Sequence, residues 1–213
     1  MPASRPAQLA QLTPREQLHA GRMPRRLVQL LAGLCLYGAS MAMLLRSHLG
    51  LDPWDVLHQG LARHLPLSIG VVSIVVGAVV LLLWIPLRQW PGLGTVLNVV
   101  VIGVAMDATL AVLDDPRQMA WRVLLLVGGI VANGLAGGLY IGSQLGPGPR
   151  DGLMTGIAGR TGWSLRVVRT GIEVTVLAAG WLLGGTVGLG TLAYALAIGP
   201  LVQFFLARLT VRL

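Results

Sequence analysis

The eleven residues SHLGLDPWDVL at positions 47–57 return 96 positions later as SQLGPGPRDGL at positions 143–153. Over the 26 positions from 47 to 72, eleven residues are identical to those of the second copy: Ser47, Leu49, Gly50, Pro53, Asp55, Leu57, Gly60, Ala62, Ser68, Val71 and Val72. The register then holds without a gap. Gly92-Leu93-Gly94-Thr95 becomes Gly188-Leu189-Gly190-Thr191, and upstream Arg26, Leu30, Gly33 and Gly38 map onto Arg122, Leu126, Gly129 and Gly134. The duplicated unit covers residues 26–112 and 122–208, joined by a loop at 113–121, with a polar tail at 1–25 and a short end at 209–213. A repeat of this length fixes architecture more tightly than any single motif.

With 54% hydrophobic and 11% charged residues and a mean hydropathy of +0.74, the chain carries more apolar surface than one soluble core can hide, so lipid must solvate much of it. Apolar stretches at 27–45, 69–87, 95–112, 123–142, 165–183 and 190–208 are each long enough to cross about 30 Å of hydrocarbon at roughly 1.5 Å per residue. The expected fold is therefore all-α and polytopic, with six spans. Three spans per copy is an odd number, so the second copy enters the bilayer from the opposite side. That makes the copies inverted repeats related by a pseudo-two-fold axis in the membrane plane.

All 16 basic residues are Arg, and they flank the apolar stretches. With the N-terminus cytoplasmic, twelve fall inside and Arg46, Arg63, Arg117 and Arg122 fall outside, a positive-inside bias that puts both termini in the cytoplasm. Topology explains the net charge of +8 better than nucleic acid does. The lack of Lys excludes a P-loop and a Schiff-base amine, and Cys35, the sole cysteine, excludes an internal disulfide. The polar tail is expected to be unstructured or to lie on the membrane surface.

Between the first and second spans of each copy, a Gly/Pro turn leads into 11 or 12 helix-compatible residues, roughly 18 Å, too short to cross. These are expected to be re-entrant or interfacial helices. Asp52 or Gly148 stands at the N-cap, Pro53 or Pro149 at the first helical position, and Asp55 or Asp151 two residues later. Two readings stand for Asp55 and Asp151: carboxylates folding back on exposed amides, or members of a solute or ion site where broken-helix ends converge. In the fifth stretch Glu173 lies one turn from Arg169, either as an ion pair or as a coupling carboxylate. Arg150, Arg166 and Arg169 would make a basic entrance. The candidate binding residues are thus Asp55, Asp151, Glu173, Arg150, Arg169, Pro53, Pro149 and Gly148. A metal at His48, Asp52, Asp55 and His58 is disfavoured, because the second copy lacks three of the four. The Gly-Leu-Gly-Thr turns read as hairpins whose Thr caps the third and sixth spans.

The Gly-x-Gly-Pro-x-Asp-Gly-Leu run at residues 146–153, its degenerate partner at 50–57 and the two Gly-Leu-Gly-Thr turns resemble bacterial membrane proteins of the YczE/YyaS/YitT type over about residues 26–208. That resemblance implies a small polytopic protein of the bacterial cytoplasmic membrane and leaves its activity open. No HExxH or GxSxG motif is present, and Gly38-Ala39-Ser40-Met41 lacks the closing Gly of an intramembrane nucleophile turn. No enzyme and no cofactor are expected. The leading function is a small transporter-like or channel-like protein for a small solute or ion, with the lipid bilayer as its medium and a homodimer as an expected assembly. The alternative is a non-transporting scaffold or regulatory partner.

Overall fold

The computed structural model describes residues 12–213; the first eleven residues of the polar tail lie outside the described residues. The described chain is helical throughout: α1 Pro14–His19, α2 Met23–Ser47, α3 Pro53–Ala62, α4 Ile69–Leu87, α5 Leu93–Val112, α6 Met119–Gly142, α7 Pro149–Thr161, α8 Leu165–Leu182 and α9 Leu189–Leu209. Five of these, α2, α4, α5, α6 and α9, are long and apolar enough to cross a bilayer. The sixth expected span, α8, has only 18 residues and carries Arg166, Arg169 and Glu173, and it is not among the helices long and apolar enough to cross.

The two central helices, α2 and α6, run antiparallel. Arg26 reaches Ser143 O, Gln29 reaches Leu139 O, and Asn133 Nδ2 donates to Ser40 Oγ at 2.8 Å, so low numbers on one helix meet high numbers on the other. Interhelical polar contacts of this kind hold helices together where lipid removes the hydrophobic contrast. Around this pair α5 packs on α2 and α9 on α6, while α3 packs on α8 and α7 on α4. Each short helix therefore leans on the other copy.

The duplication is visible in individual contacts. Gly94 N donates to Leu145 O at 2.7 Å and Gly190 N donates to Leu49 O at 2.8 Å, so each Gly-Leu-Gly-Thr turn docks on the loop before the other copy's short helix. Those loops reverse at Gly50 (φ 126°) and Gly146 (φ 123°), a backbone region that residues bearing a Cβ avoid. Packing is reciprocal as well. Trp84 of α4 lies on Gly152 of α7, while at the equivalent positions Gly180 of α8 lies against Val56 and Leu57 of α3; large and small have exchanged sides. One contact has no image: α4 packs along α5, but among the described residues α8 has no comparable packing on α9.

Two local readings are corrected. The N-caps of α5 and α9 are Gly92 and Gly188; Thr95 and Thr191 sit at the third helical position, where their hydroxyls accept the N–H of Gly92 (3.2 Å) and Gly188 (3.3 Å). Part of the polar tail is folded: Thr13 and Glu16 close a capping box on α1, in which the Thr13 backbone N–H holds the Glu16 carboxyl below its usual range. Arg26, fully buried, then donates to Gln17 O (2.6 Å), Ser143 O (2.8 Å) and Gln144 O (2.7 Å), tying α1 to the loop before α7.

Candidate functional site

The N-terminal ends of α3 and α7 meet. Positions 54 and 150 are equivalent in the duplication, and they touch, the Arg150 guanidinium lying 4.9 Å from the centre of the Trp54 ring. Arg150 Nη1 also lies 3.4 Å from Asp52 Oδ1, in the residue before α3. The arrangement follows from the local sequence. A reversed loop carries the chain back toward the bundle, Pro53 or Pro149 opens a helix at no hydrogen-bond cost, and the first turn delivers its side chains to the convergence point.

Asp52, and neither Asp55 nor Asp151, is the capping carboxylate. Its Oδ1 accepts from Trp54 N at 2.9 Å and Asp55 N at 3.3 Å. Asp55 is turned toward His58, Oδ1 to Nδ1 3.0 Å, with both side chains 3% exposed. Asp151 accepts from the Tyr140 hydroxyl at 2.9 Å. The cap reading of both N3 aspartates is thereby overturned, because in α3 the N-cap side chain already occupies the free amides. The first turn of α7 has no side-chain cap, its N-cap being Gly148.

A cavity of about 360 Å³ opens at this junction, with walls from α2 to α9. Of the residues expected from the sequence, Pro53, Gly148, Pro149, Arg150, Asp151, Arg169 and Glu173 line it. Asp55 does not; it stands behind the wall with His58, which does. Arg169 Nε meets Glu173 Oε1 at 2.9 Å, the pair expected on α8. Residues the sequence reading missed are Asp52, Trp54, Asn98 and the tyrosines 37, 140 and 194. A signal for two of them was present in the duplication, since Tyr194 occupies the position equivalent to Asn98. Tyr194 Oη donates to Asn133 Oδ1 at 2.9 Å, and position 133 is in turn equivalent to Tyr37. A Tyr and an Asn have traded places between the copies.

Two buried polar atoms here have no hydrogen-bond partner among the described residues: Trp54 Nε1 and Asp55 Oδ2. His48, by contrast, is remote from the site and pairs with Asp115 (2.6 Å), as does Arg46 (2.5 Å). The His48 ring, followed by Arg46, holds the Asp115 carboxyl below its usual range. Among the described residues no group of three or more His, Cys, Asp or Glu is placed to hold a metal ion.

Residues 24–207 match the model of a family of unknown function, DUF6198. The chain is 42% identical over 177 residues to an uncharacterized protein of Haemophilus influenzae, covering 83% of this chain and 81% of that one. It is 36% identical over 177 residues to the uncharacterized membrane protein YczE of Bacillus subtilis, covering 82% of each. The uncharacterized protein YyaS of the same organism is 22% identical over 178 residues, covering 82% of this chain and 89% of that one. No solved structure matches.

Proposed function

The chain belongs to the DUF6198 family, a multi-pass membrane protein related to YczE, and from that premise we propose that it is a small carrier, transporter-like or channel-like, for an organic solute. The observation that carries this reading is the cavity at the meeting of the two short helices, walled by both copies and holding charged groups from α7 and α8. Ionisable side chains are costly within a bilayer and persist where they serve a pathway, and helix ends that break off inside the membrane supply polar backbone groups there.

In this reading α8 is the sixth span, its Arg169 and Glu173 facing the cavity rather than lipid and its Arg166 standing in the first turn at the end of the span. The copies are inverted across the membrane, in keeping with the antiparallel packing of the equivalent helices α2 and α6 and the exchanged Gly94–Leu145 and Gly190–Leu49 bonds. The host membrane in this reading is the bacterial inner membrane, with both termini cytoplasmic, an orientation that the arginine distribution supports. The α8–α9 seam, lacking the packing of α4 on α5, is the element that moves when access changes sides.

The test is uptake by reconstituted vesicles from a mixture of small organic solutes, with Asp151→Asn as the comparison. Time-dependent accumulation of at least one solute, lost in Asp151→Asn while that variant remains folded in the vesicles, supports the carrier. Protein that shows no accumulation of any solute and co-purifies with one membrane partner would instead be a scaffold.

A further inference from the structure

Four carboxyl groups, Asp52, Asp55, Asp151 and Glu173, and two guanidiniums, Arg150 and Arg169, stand in or directly behind the wall of the cavity. Both guanidiniums are already engaged, Arg150 by Asp52 and Arg169 by Glu173. Asp151, which is exposed within the lining, has only the neutral Tyr140 hydroxyl. Asp151 is thus the carboxylate of the wall that makes no ion pair among the described residues, and the group complementary to it is positive.

The rest of the wall narrows the chemistry. Tyr37, Tyr140 and Tyr194 offer aromatic rings, which attract cations, and Val76, Val80 and Ile102 offer apolar surface. A bare metal ion would leave most of the 360 Å³ to water. We propose that the cavity binds a small organic monocation, its ammonium at Asp151 and its carbon skeleton against the aromatic and apolar wall. This rests on the reading of the cavity as a solute site and names the class of solute.

Three probes of one shape separate the charge types: phenylalaninol (cation with a hydroxyl), phenylalanine (zwitterion) and phenyllactate (anion), titrated calorimetrically into the protein in lipid nanodiscs near neutral pH. Phenylalaninol is expected to bind at least about tenfold more tightly than phenylalanine, and phenyllactate not at all. Asp151→Asn is expected to weaken phenylalaninol by about tenfold. Preference for phenyllactate or phenylalanine, absence of phenylalaninol binding to protein that still melts cooperatively, or an unaltered affinity in a folded Asp151→Asn variant would each overturn the proposal. Vesicle uptake separates it from the carrier reading. Phenylalaninol that binds but never crosses refutes carriage and leaves the solute class standing, whereas uptake of phenyllactate alone supports carriage and refutes the class.

Discussion

Gly152→Ala is the smallest change that should disable the site without touching a charged group. A Cβ added at Gly152 would stand 2.0 Å from Cζ2 and 2.4 Å from Cη2 of Trp84, where carbon atoms at rest keep about 3.5 Å. Relief requires the indole or α7 to move by about 1.5 Å. Trp84 is 1% exposed, and its Nε1 donates to Pro149 O at 3.0 Å, so a shift of that size breaks the bond and leaves both groups buried. Overpacking costs about 1–3 kcal/mol and an orphaned buried donor about 1–3 kcal/mol. Together they should destabilise the protein by about 3 kcal/mol, roughly 6–12 °C in melting temperature for a chain of this size. Because Pro149 adjoins Arg150 and Asp151, phenylalaninol binding should fall as well. Trp84→Phe removes the ring atoms that clash, so the double variant Trp84→Phe/Gly152→Ala should be more stable than the sum of the two single effects, read from nanodisc melting curves as a double-mutant cycle. A Gly152→Ala variant melting with the parent, or strict additivity in the double variant, would refute the packing argument.

Arg26→Met should destabilise by about 3 kcal/mol, since three carbonyl oxygens lose a buried, charged donor, and Arg26→Lys should recover little because a single ammonium cannot span Gln17, Ser143 and Gln144; thermal melting of both variants checks this. Asp52→Ala removes the cap of α3 and the partner of Arg150, so it should cost more than the roughly 1 kcal/mol of an ordinary cap, measured the same way. Asp115 tests the pH response. Its folded carboxyl titrates below its unfolded value, so its contribution is complete above the ordinary Asp range near about 3.9 and is lost as pH falls through the lowered folded value. With Asp115 54% exposed the effect is small; Asp115→Asn should melt slightly below the parent at neutral pH, and the difference should close on acidification.

The all-helical fold and the starts of its helices were legible because the duplication rests on residues with strong local preferences. Gly50 and Gly146 at reversed turns, Pro53 and Pro149 at helix starts, and Ser68 and Ser164 capping α4 and α8 act wherever they occur, and the short helices begin where those signals lie. The site was legible only in part, for a related reason. Asp52 reads from sequence as a bare cap, because Arg150 is 98 residues away and no periodicity connects them. Asp55, identical in both copies, attracts attention but is spent on His58, a residue the second copy lacks. Arg26 looks like any arginine flanking a span, and its role emerges only when α6 brings Ser143 to it. Asp107 likewise accepts from Gly70 N and Ser68 Oγ, closing the start of α4 from another helix. Local chemistry is written along the chain, while partnership between the two copies is written only in their packing.

The most direct test is whether the cavity opens to both sides of the membrane. Cys35 is the sole cysteine, so Cys35→Ala gives a background in which Asn98→Cys, in the cavity wall, can be compared with Val104→Cys, which lies on the exposed apolar face of α5. A membrane-impermeant thiol reagent applied separately to the outside and to the lumen of oriented vesicles should label position 98 from either side, protected by phenylalaninol, and leave position 104 unreacted. Position 98 unreactive from both sides, in vesicles where a surface cysteine labels fully, would contradict a solute pathway through the junction of the two short helices.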